Sequence, residues 1–310
     1  MRRFVVRAFL FSAVVVVTFG GICALEIAAE LRAYRAEVVA PEGATVAVAG
    51  DSQAAMGVDS LRFPAFFNFS AHGKTLDQAW FTLEDIVDAN PGRIRTVILD
   101  ITPANVVGLS ASRLRDMDYA AQFYLLHFLH PDGNFRDLGD ALGVMRDNMV
   151  GRRLRLFSRA LRGKRKFTSS LFGQFTEDHE VLSRMSPRVF QSLVEERAAE
   201  VAKGLPLPPD SRLSTVLDGV AGLRGKGVEV VLMTTPWSVE LRKACDAKRL
   251  EAFFEQVRGA AAQRGLCYLN FFDFPVGPEG WRDGHHLNAT GARPFTAHLM
   301  ETLKAKGLLE

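Results

Sequence analysis

The sequence predicts an α/β fold: a three-layer, flavodoxin-like arrangement around a five-stranded parallel sheet. Three observations predict it. Short apolar or β-branched runs recur at Thr45–Ala49, Phe66–Phe69, Ile94–Ile101, Val228–Met233 and Leu266–Phe271. Segments with apolar residues at helical spacing stand between most of them. Strands separated by helices imply parallel pairing with both sheet faces covered. The 310 residues carry 38 Lys+Arg against 35 Asp+Glu, a net charge of +3, and 48% are hydrophobic. That balance excludes a disordered chain. The charge is too small to argue for nucleic acid, and no nucleic-acid-binding motif occurs. Three cysteines exclude a disulfide scaffold and a Cys-based metal cluster, and no cofactor motif is present.

The elements follow in order. Arg2, Arg3 and Arg7 make residues 1–7 a basic stub before the uncharged stretch Ala8–Leu25. A stretch of this length can span a bilayer. With a helix-like continuation it gives a transmembrane signal-anchor over 8–28. The basic flank stays cytoplasmic, so the rest of the chain is placed outside the cytoplasm. A cleaved signal peptide is the alternative. A linker helix over 29–44 ends at Pro41-Glu42-Gly43. The globular domain then covers 45–310. Its first long helix opens on a capping box, Thr75-Leu-Asp-Gln78, and closes at Asn90-Pro91-Gly92. Helices are expected near 213–223, over 246–264 with Leu250, Phe253, Phe254, Val257 and Ala261 inward, and over 289–305. Residues 109–210 lack a strand and read as a helical insertion. Within it, 152–166 is rich in Arg and Lys with interspersed Leu and Phe, a pattern that suits an anionic membrane surface, a polyanion or a solvated face.

Two segments carry chemistry. The first strand runs into Gly50-Asp51-Ser52, and the last helix is preceded by Asp283-Gly-His-His286. A serine hydroxyl needs a base to become a nucleophile, and a histidine base needs a carboxylate to hold its tautomer. Ser52, His286 and Asp283 supply those parts. Both segments follow predicted strands, so they can meet at one edge of the sheet. The Asp-x-x-His spacing favours His286 over His285. The bland readings are a helix cap for Gly-Asp-Ser and an exposed histidine beside a helix start. His72, Trp237 and Trp281 can touch substrate or serve as surface or core residues. His127 and His130 lack a third ligand, so no metal site is expected.

The pair of motifs resembles the SGNH (GDSL-like) hydrolase superfamily, over about 45–109 and 211–306. The resemblance implies a Ser52–His286–Asp283 triad and an oxyanion hole built from the N–H groups of Ser52 and Gly73. The third block departs from the family's Gly-x-Asn-Asp: the sequence reads Asp100-Ile-Thr-Pro-Ala-Asn105, leaving Asn105 or Thr102 as substitutes. With the anchor and a Gly-Asp-Ser-Gln53 start, the chain is similar to the membrane-anchored branch that O-acylates bacterial envelope polymers, such as the D-alanine transfer and alginate O-acetylation proteins. That implies a single-pass protein of the cytoplasmic membrane with an extracytoplasmic esterase or O-acyltransferase domain. Its implied partners are a membrane-bound O-acyltransferase and an envelope polysaccharide or polymer. The alternatives are a non-catalytic accessory protein that docks such a transferase or binds an anionic glycan, and a lipase or thioesterase.

Overall fold

A computed structural model describes residues 34–72, 74–106, 186–205, 207 and 213–309, with scattered positions between 4 and 32. Its strands are β1 (Val46–Ala49), β2 (Phe66–Asn68), β3 (Thr96–Asp100), β4 (Glu229–Thr234) and β5 (Cys267–Asn270). They form one parallel sheet in the order β2-β1-β3-β4-β5. Every residue of β1 and β3 is buried. Central strands covered on both faces have no solvent side, which is why they read as unbroken apolar runs. The strand order reverses between β1 and β3. Crevices in such sheets open beyond the carboxyl ends of the strands flanking that point.

The helices are α1 (Ser52–Gly57), α2 (Leu76–Ala89), α3 (Pro103–Val106), α4 (Pro187–Gly204), α5 (Leu213–Gly222), α6 (Val239–Ala244), α7 (Ala247–Gln263) and α8 (Ala289–Ala305). Alternation along the strands divides the core. Val46, Val48, Ile98, Val231, Met233 and Leu269 pack with Ala54 of α1 and with Ala292, Phe295, Leu299 and Leu303 of α8. The alternate residues Ala47, Val97, Leu99, Val230 and Leu232 turn to the other face, where α2 lies against β1 and β3, α5 against α2, and α7 against β5.

The expected capping box forms: Thr75 Oγ1 accepts from Gln78 N–H, and Thr75 N–H donates to Gln78 Oε1 at 2.9 Å. The inward residues expected on α7 are all buried. The short α1 and α6 carry too few turns to show a period in the sequence. The linker helix stops short of the expected boundary: helical backbone ends at residue 37, before Pro41. A residue preceding proline avoids helical backbone.

The chain divides into two compact units, residues 39–110 with 168–310, and residues 1–38 with 111–167. The first holds the sheet. In the second, the described positions Phe4, Phe9, Phe11, Val14 and Val17 are helical and exposed. Among the described residues no helix is long and apolar enough to cross a membrane. Most of the 8–28 anchor segment lies outside the described residues. So does the insertion apart from α4 and its flanks, which removes 152–166, His127 and His130 from view.

Candidate active site

β1 delivers the chain to Gly50-Asp51-Ser52 at its carboxyl end. Asp51 caps α1, its Oδ1 accepting from Gln53 N–H at 2.7 Å. The cap and the nucleophile readings therefore coexist: capping by Asp51 fixes Ser52 at the first position of the helix. Gly50 is required there. A Cβ on it would stand 2.5 Å from Asp100 Cβ and 2.9 Å from Ala54 Cβ.

The second segment folds back on itself before α8. Trp281 and Leu287 pair across it, and Arg282 N–H donates to His286 O at 2.8 Å. Inside the turn, Asp283 Oδ1 accepts from the backbone N–H groups of His285 (3.0 Å) and His286 (2.9 Å). This local Asx-type turn makes the three-residue spacing work. It leaves Asp283 Oδ2 for the ring: His286 Nδ1 lies 2.7 Å from it. His286 Nε2 lies 2.7 Å from Ser52 Oγ. With Nδ1–H donated to a carboxylate, Nε2 carries the lone pair and accepts from the serine hydroxyl. Ser52 is 9% exposed, and the side chains of His286 and Asp283 are 13% and 17% exposed. The group is largely shielded from solvent.

His285 is part of the same constellation. Its Nδ1 stands 3.1 Å from Asp283 Oδ1, and its Nε2 meets the guanidinium of Arg197 on α4. Burial and the neighbouring His286 push His285 down to about 3 despite the Asp283 charge, so it is neutral. Burial alone would raise the Asp283 carboxyl, but hydrogen bonds from His285 and His286 hold it well below the usual carboxylate range. The carboxylate is thus charged at neutral pH.

Behind Ser52, Gln53 is 2% exposed and joins three strand ends. Its Oε1 accepts from Trp237 Nε1–H and from Thr235 Oγ1–H, and its Nε2–H donates to Thr102 Oγ1 at 3.3 Å. Asp100, at the end of β3, is wholly buried. Burial and the adjacent Asp51 charge raise it well above the carboxylate range.

The other expected site residues fall differently. Asn105 donates through Nδ2–H to Asp100 O at 2.8 Å and accepts from Thr102 N–H at 2.9 Å. Thr102 is fully buried and accepts from Asn105 N–H. Both serve the turn between β3 and α3. Gly73 lies outside the described residues. Its neighbour His72 is exposed, with its ring edge-on to His286 at 6.4 Å. Trp237 is fully buried and Trp281 is 4% exposed, so both are core residues and neither offers a sugar platform. Cys245 and Cys267 are free thiols.

Among the described residues, Asp283, His285 and His286 bring three ligand-type atoms within 4.8 Å of one another. These atoms are already bonded to each other and to Ser52, and the Arg197 guanidinium covers the outer nitrogen of His285. A fixed positive charge there opposes a cation. Sequence reasoning missed Arg197 altogether. It sits on an ordinary amphipathic helix, and nothing in its neighbours signals a contact with a loop more than eighty positions away.

No family model matches the chain, and no curated protein matches it. Among solved structures it is similar to a Bacteroides fragilis protein provisionally named an acylhydrolase. The identity is 11%, with 90% of this chain and 96% of that one covered and a TM-score of 0.39. A likeness this loose carries no argument about activity.

Proposed function

We propose that the chain is a serine esterase or O-acyltransferase acting on acyl esters of a cell-envelope polysaccharide or polymer. The observation that carries the reading is the continuous chain Ser52 Oγ, His286 Nε2, His286 Nδ1, Asp283 Oδ2, with 2.7 Å at both hydrogen bonds. In this reading His286 Nε2 takes the Ser52 proton as Oγ attacks the acyl carbonyl. Asp283 stabilises the resulting imidazolium. The oxyanion is received by the Ser52 N–H, which, in the first turn of α1, has no intrahelical acceptor. The resemblance to the SGNH superfamily assigns the second donor to Gly73, which lies outside the described residues. Collapse of the tetrahedral species returns the proton from His286 to the leaving oxygen and leaves an acyl-Ser52. Water or a polymer hydroxyl then attacks, with His286 again as base. The triad needs no cofactor.

The exposed apolar positions from Phe4 to Val17 support membrane attachment by the N-terminal segment, with the domain outside the cytoplasm. A membrane-bound O-acyltransferase is then the partner that supplies the acyl group. Turnover of acetyl esters by the full chain, compared with Ser52→Ala and His286→Ala, tests the chemistry. Loss of turnover in both is expected, and undiminished turnover in either rejects it.

One observation favours a second reading, a non-catalytic accessory protein: Asn105 and Thr102 are engaged in their own turn. Complementation of a deletion strain separates the two. Full rescue by Ser52→Ala and His286→Ala together supports the accessory role, and failure of both supports catalysis.

A further inference from the structure

We propose that Arg197 is a positioning residue for the triad: through His285 it fixes the carboxylate of Asp283, and thereby the imidazole of His286. The inference rests on the serine-hydrolase reading above.

The inward residues Val194, Ala198 and Val201 of α4 are buried, and Ser186 caps its start. Val194 Cγ2 comes within 3.0 Å of where a Cβ on Gly284 would stand, so the missing side chain at Gly284 lets α4 lie directly on the Asp283–His286 turn. Residues three apart on a helix share a face. Arg197, three positions after Val194, therefore reaches over the same turn. Glu200, one turn further, holds its Nη1 at 3.0 Å. The other end of the fork, Nη2, is aimed at His285 Nε2.

A guanidinium only donates hydrogen bonds, at every accessible pH. It therefore accepts one state of His285: a lone pair on Nε2, hence the proton on Nδ1. That nitrogen stands 3.1 Å from Asp283 Oδ1. Oδ1 then holds two backbone N–H groups and one ring N–H, and Oδ2 is left for His286. Without Arg197 the other tautomer becomes available. It would turn a lone pair on Asp283 Oδ1, and the carboxylate would rotate away from His286. A misplacement of about 1 Å in such a group can cost on the order of 10²-fold in rate.

Two measurements on the full chain test this. The first is the nitrogen-15 spectrum of histidine-labelled protein, which reads tautomers whether or not the protein turns over. The wild type is expected to show His285 with Nδ1–H alone, and Arg197→Met a mixture. The second is ester hydrolysis. Arg197→Met and His285→Phe are expected to lower kcat by about 10- to 100-fold with KM unchanged. His285→Asn keeps an N–H near the Nδ1 position and is expected to recover most of that loss. The Arg197→Met/His285→Phe double variant is expected to be no worse than either single variant. A single unchanged tautomer in Arg197→Met overturns the proposal. So does a raised KM at constant kcat, which would make Arg197 a substrate contact, or equal loss in His285→Asn and His285→Phe. A wild type that never hydrolyses esters defeats the serine-hydrolase reading instead, and the tautomer result then judges Arg197 alone.

Discussion

Ser52 Oγ and His286 Nε2 lie 2.7 Å apart although 234 positions separate them in the chain. The sheet brings them together. β1 ends at Ala49, immediately before the turn that carries Ser52, and the Asp283–His286 turn feeds α8, which packs on the same face as α1. Both turns therefore belong to the carboxyl edge, beside the point where strand order reverses. Local backbone devices hold the three side chains: the Asp51 cap and the close approach of Gly50 to Asp100 hold the turn of Ser52, and the Asx-type turn at Asp283 holds Asp283 and His286.

Replacing the carboxylate tests the triad's electrostatics. Asp283→Asn keeps an acceptor for the two backbone N–H groups but presents no full charge to His286 and favours the wrong tautomer. The expected loss in kcat is about 10³- to 10⁴-fold with the fold retained. Ester hydrolysis and circular dichroism on the same sample check both parts.

Gln53→Leu removes a buried hydrogen-bonding side chain next to Ser52. Here the side chain is the buried acceptor for the Trp237 indole and the donor to Thr102. Leucine leaves the indole N–H without that acceptor, at a cost of about 1–3 kcal/mol. Denaturant titration should show a lower midpoint at unchanged slope.

Gly50→Ala forces a methyl group against Asp100 Cβ and Ala54 Cβ. Overpacking of this kind costs about 1–3 kcal/mol, and relief requires Asp51-Ser52 to move. The expected outcome is a combined loss of stability and of turnover, checked by thermal melting and ester hydrolysis.

Lys74 gives a pH signature. Burial lowers its ammonium to about 7, partly offset by Asp85, while its ordinary value is 10.5. Between those values the unfolded chain holds a proton that the folded chain has released. Stability from this group therefore rises with pH from about 7 towards 10.5, and below 7, where both states hold the proton, the burial penalty is at its full and constant value. Burial pushes the Cys245 thiol up to about 11 and acts in the opposite sense above 9, so the window is pH 7 to 8.5. Melting temperature should climb across it in the wild type and lose much of that climb in Lys74→Met.

The sequence made the sheet and its helices legible because each strand is short, apolar and bounded by turn residues, and because α2, α7 and α8 keep a regular apolar period. Ser52, Asp283 and His286 were legible because the turn at each site is local: a cap in one case, a three-residue curl in the other. His285 was set aside because spacing offers one histidine to the carboxylate, whereas Asp283 has two oxygens and engages both rings. Asn105 and Thr102 looked available as oxyanion donors because residue type does not reveal that their own turn engages them. Arg197 was invisible because its contact is made across the gap between an insertion helix and a distant loop.

The most direct test of the central claim is covalent. Treat the full chain with a fluorophosphonate probe and locate the adduct by mass spectrometry. The account predicts one adduct on Ser52, formed far more slowly in His286→Ala and absent in Ser52→Ala. An adduct elsewhere, or labelling that persists in Ser52→Ala, would contradict it.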